Sequence, residues 1–89
     1  MAWAFEELID EPGYGWFRER PDYAHTDREV ADAIARKKAQ LNDDGSPRWV
    51  FDHETADLVE FHPIPIMVNG RDLSGATHYR YRRIPGRAK

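Results

Sequence analysis

The sequence contains no cysteine. Disulfides and thiolate metal sites are therefore excluded, and a reducing compartment, the cytoplasm, is expected. There is also no long hydrophobic run: the longest uncharged stretch, Phe61 to Gly70, is interrupted by Pro63 and Pro65. A membrane-spanning helix needs about 18 or more apolar residues, so no membrane partner is expected. The opening Met-Ala-Trp-Ala-Phe-Glu-Glu has neither the basic nor the apolar region of a signal peptide and is not read as one. Nucleophile motifs are missing as well. Ser46 precedes a proline, and Ser74 stands in Ser-Gly-Ala with no strand-to-helix elbow pattern around it. No phosphate loop, dinucleotide fingerprint or calcium loop occurs. These absences point away from an enzyme and away from a cofactor.

What is present suits one small domain. The 89 residues allow a single unit, read as residues 1–86, with 87–89 as a flexible tail. Three Trp, four Tyr and four Phe supply large apolar area for a real core. Charge is unevenly placed. Residues 1–60 carry fifteen acids and seven bases, and residues 61–89 carry one acid and six bases, giving −8 and +5. Such a chain can fold its two ends against each other or offer a basic patch to an anionic partner.

Local patterns set the expected elements. Phe5, Leu8 and Ile9 fit an i, i+3, i+4 spacing, so residues 3–9 read as a short helix stopped by Pro12 and Gly13. Residues 10–25 read as a loop anchored by Trp16 and Phe17 pressing into the core. A second helix over 27–41 starts at a capping box, Thr26 with Glu29, and carries Val30, Ile34 and Leu41 on one stripe. Residues 49–52 and 57–61 read as a hairpin. Ile64, Ile66 and Val68 alternate after a proline break. Asn69-Gly70 is the strongest turn signal, with a returning strand from Arg71 to Ser74 that Gly75 breaks. His78 to Ile84 is the last strand, with Tyr79 and Tyr81 on one face and Arg80 and Arg82 on the other. The expected fold class is α+β: an N-terminal helical region packed on a three- to four-stranded antiparallel sheet. A small bent, barrel-like sheet is the alternative.

Three constellations could carry function. The run His78-Tyr79-Arg80-Tyr81-Arg82-Arg83 could stack on bases and neutralise phosphates, or its tyrosines could line the core while its arginines pair with the acidic half. Among four histidines, His53 and His62 could face each other across a hairpin beside Glu54 or Glu60, as a metal pair or as ordinary surface groups. The acids Asp43, Asp44, Asp52, Glu54 and Asp57 cluster around two turns, where they could serve acid–base catalysis or bind Mg²⁺, or bond to backbone as turn residues do. The resulting reading is a protein-interaction module: an adaptor, inhibitor or assembly component, as in many phage-encoded or accessory proteins. Its partner is another protein or a second copy of itself, forming a homo-oligomer. Its contact residues are Trp16, Phe17, Arg80, Arg82 and Arg83. The alternative is nucleic-acid binding by the C-terminal strand, and an enzymatic reading would need His53, His62 and acids gathered in one pocket.

Overall fold

Strand alternation, not helical period, governs the start of the chain. In the computed structural model, which describes residues 2–9, 15–65, 67–72 and 77–85, the expected N-terminal helix is a strand, β1 (Ala2–Leu8). The α+β layout of a helical region on a three- to four-stranded sheet is thereby corrected. The fold is mostly β, with one helix on a six-stranded antiparallel sheet. The reason is pairing: six residues of β1 lie opposite residues 79–84 of the last strand, a partner that no local window contains.

The chain order is β1, β2 (Trp16–Arg18), β3 (His25–Thr26), α1 (Asp27–Ala39), β4 (Trp49–Glu54), β5 (Leu58–Pro63), β6 (Met67–Val68), β7 (Arg71–Asp72) and β8 (Tyr79–Ile84). The sheet runs β2-β1-β8-β5-β4, with β3 pairing the other end of β1 along the same side as β2. β6 and β7 form a separate two-stranded ribbon. Its turn follows from Asn69-Gly70, which take φ of 52° and 78° as a type I′ turn requires. The expected continuation through Ser74 and the break at Gly75 lie outside the described residues, as do Ile66, the Pro12-Gly13 stop and the 87–89 tail.

The helix begins where the capping box placed it. Thr26 Oγ1 accepts from Glu29 N at 3.1 Å, and Thr26 N donates to Glu29 Oε1 at 2.8 Å. It ends two residues earlier than expected, and Leu41 lies 53% exposed in a bridge with Pro47. α1 covers one face of the sheet with Val30 and Ala33; the small Ala33 permits close approach. Beneath it lie Trp3, Val59, Phe61 and Tyr81, flanked by Phe5, Trp49, Phe51 and Tyr79. Phe5 stacks on Tyr79 at 5.6 Å, and Phe61 is fully buried. Removing a buried Phe ring costs about 3–5 kcal/mol, a large part of the roughly 5–15 kcal/mol that holds a small domain together. The aliphatic cover on this side is thin, and most of the core beneath it is built from rings. Lys37 extends it, its Nζ lying 4.3 Å from the Trp49 ring centre. Burial pushes that ammonium below its usual range, with Arg36 adding to the effect. Among the described residues no helix is long and apolar enough to cross a membrane.

Candidate functional site

Register decides what the second face of the sheet displays. Residues directly opposite each other share a face. Phe5 opposite Tyr81, and Val59 opposite Tyr81, mark the helix side. Glu6 opposite Arg80, Leu58 opposite Arg82, Val50 opposite His62 and Leu8 opposite Trp16 mark the other. No described helix lies against that second face, yet the charged groups at its centre are largely buried.

At its centre is a carboxylate clamped by two guanidinium groups. Arg80 Nε donates to Glu6 Oε1 at 2.6 Å, and Arg82 Nη2 donates to Glu6 Oε2 at 3.0 Å. Glu6 is only 6% exposed. Burial would raise its pKa, but the hydrogen bonds from Arg82 and Arg80, with their charges, win and hold it below the usual carboxylate range. The contact with Glu6 also raises Arg82. The Arg80 guanidinium carbon lies over the Trp16 ring, 4.0 Å from its centre. Arg83 is on the helix side, 3.7 Å from Asp27 and 3.8 Å from Asp57. Asp27 also accepts from Trp3 Nε1 at 2.6 Å. The three arginines of the basic segment therefore face acids of residues 1–60, as the first reading of the charge asymmetry requires.

Trp16 and Phe17 do not press into the core as the loop reading expected. They occupy edge strand β2, where Trp16 is half-buried beneath Arg80 and Phe17 is 51% exposed. Two further apolar side chains, Met67 and Val68, stand 59% and 46% exposed on the β6–β7 ribbon. Sequence reasoning treated Val68 as a sheet position and passed over Met67. The signal was available in Pro63, which ends β5, and Pro65, which follows it.

The histidines assemble differently from the expected pair. The register of the β4–β5 hairpin shifts between Phe51 and His53, so His53 lies opposite Glu60 while His62 lies opposite Val50. His53 and His62 are thus not cross-strand neighbours. A bulge of this kind re-aims a side chain, and here the extra residue is Asp52. One step beyond the Phe61–Tyr79 pair, His78 comes beside His62. Asp52 Oδ2 lies 2.6 Å from His62 Nδ1 and 3.1 Å from His78 Nε2. The two rings meet edge to face at 4.8 Å and 73°. His25 pairs with Trp3 in β3, and its ring packs against Tyr23, Tyr81 and Phe5. The turn reading fits Asp44, whose Oδ1 accepts from Ser46 N at 2.9 Å and Ser46 Oγ at 2.6 Å.

Comparison with protein-family models, with curated proteins and with solved structures finds no match to this chain.

Proposed function

We propose that the chain is a small, non-enzymatic, cytoplasmic interaction module that docks a partner protein through the β6–β7 arm. The observation behind this reading is the exposure of Met67 and Val68 on a ribbon that, among the described residues, pairs with no strand of the main sheet. An isolated two-stranded ribbon is marginal in water. Covering its apolar side chains gains about 25 cal/mol per Å² buried. A partner with an apolar groove supplies that cover, and Phe17 on edge strand β2 offers a second apolar contact. Trp16 contributes less, since Arg80 already lies over its ring. No observation favours the nucleic-acid alternative, because Arg80, Arg82 and Arg83 all face carboxylates of this chain.

The test is position-specific photocrosslinking in the source cell. A photoreactive residue replaces Met67 in one variant and Arg28, 86% exposed on the helix, in another. The expected result is a discrete covalent adduct from position 67 alone. A self-adduct would make the partner a second copy. Equal labelling from both positions, or none from 67, would overturn the reading.

A further inference from the structure

We propose that Asp52, His62 and His78 form a binding site for one divalent transition-metal ion of the zinc class. The inference is independent of the arm and goes beyond the interaction reading. Its basis is that three donors, two imidazoles and a carboxylate from three neighbouring segments, converge on one point. Asp52 Oδ2, His62 Nδ1 and His78 Nε2 all lie within 4.8 Å of one another. Around a tetrahedral ion with bonds of about 2.0–2.1 Å, donors stand roughly 3.3 Å apart. The two hydrogen bonds, at 2.6 and 3.1 Å, need to open by less than an ångström.

The backbone holds this arrangement. Asp52 is placed by the β4 bulge, His62 by β5, and His78 by the residue that leads into β8. A casual surface ion pair involves one contact. Here a single carboxylate oxygen serves two imidazoles whose rings already touch. Ligation asks each ring to carry its proton on the nitrogen away from Asp52, a tautomer change, together with small shifts that open the two contacts and bring the imidazole nitrogens, now within 4.8 Å, to the same spacing.

The donor set narrows the ion. Two imidazole nitrogens and one carboxylate suit zinc, cobalt, nickel or iron(II), and do not suit calcium or magnesium, which prefer all-oxygen shells. The side chains keep 24–43% of their exposure, so water can reach the remaining coordination positions.

The experiment titrates the purified full chain with zinc chloride by calorimetry and with cobalt(II) by visible absorption. Expected are a single saturable equivalent and cobalt bands of a four- or five-coordinate site. His62→Ala, His78→Ala and Asp52→Asn should each weaken zinc by at least about tenfold. His53→Ala should leave it unchanged, which separates this set from the His53–His62 pair. Zinc should raise the Tm of the wild type and not of the three ligand variants. If an alanine variant fails to fold, the near-isosteric Asp52→Asn decides. Absence of saturable zinc binding, or an equivalent that survives His78→Ala or Asp52→Asn, would overturn the site. Equal loss on His53→Ala would do the same, as a sign of scattered surface histidines.

Discussion

Arg80 Nε lies 2.6 Å from Glu6 Oε1, and the two residues stand directly opposite each other on β8 and β1. Arg82 completes the clamp from one pleat further along. Removing one member of a buried ion pair leaves the others without compensation. Glu6→Gln should therefore cost about 2–3 kcal/mol, below the usual range for buried pairs because Arg82 can rehydrate. Urea denaturation checks this, and an unchanged midpoint would contradict it.

Acid should weaken the fold through the same carboxylate. The folded-state pKa of Glu6 is held below its ordinary value of 4.5. Its contribution is complete above that value and is lost as pH falls below it toward the folded pKa. Tm should decline below about pH 4.5, and Glu6→Gln should flatten that part of the profile. Thermal melts across the acid range read both.

His25 should act at milder pH. Burial among Phe5, Tyr23 and Tyr81 is the first cause of its pKa falling below 6.5; the Glu29 charge opposes it, and the charges of Arg20 and Arg18 add to it. The unfolded chain then binds more protons than the folded one below that value, so stability falls as pH drops through it. Replacing His25 with Gln should remove this step between neutral and mildly acidic pH. A wild-type stability that is flat there, or that rises, would contradict the assignment.

The cap at Thr26 should be worth about 1 kcal/mol, the usual cost of replacing such a residue by Ala. Thr26→Ala leaves Glu29 N without its side-chain acceptor. Chemical denaturation of that variant gives the value directly.

Much of this was legible where the signal is local. The Thr26–Glu29 box, the Asn69-Gly70 turn, the β4–β5 hairpin and the alternation of Tyr79, Tyr81 with Arg80, Arg82 all follow from neighbours in sequence. Residues 3–9 misled because Phe5, Leu8 and Ile9 fit a helical spacing by chance, while Trp3 and Phe5 equally fit a strand. The choice was made by Arg83 and Tyr81, opposite them on β8. Charge asymmetry did carry information, since Glu6, Asp27 and Asp57 meet the C-terminal arginines. The histidine set was hidden for a different reason. A one-residue bulge at Asp52 changes which side chains share a face, and nothing in residues 49–61 announces it.

The functional reading turns on the arm meeting a partner without being part of the core. The most direct measurement compares complex recovery by the wild type and by a Met67→Asp/Val68→Asp variant, with Tm taken on the same two samples. The expected result is a matching Tm with the complex lost from the variant. Equal recovery, or a variant that no longer folds, would contradict it.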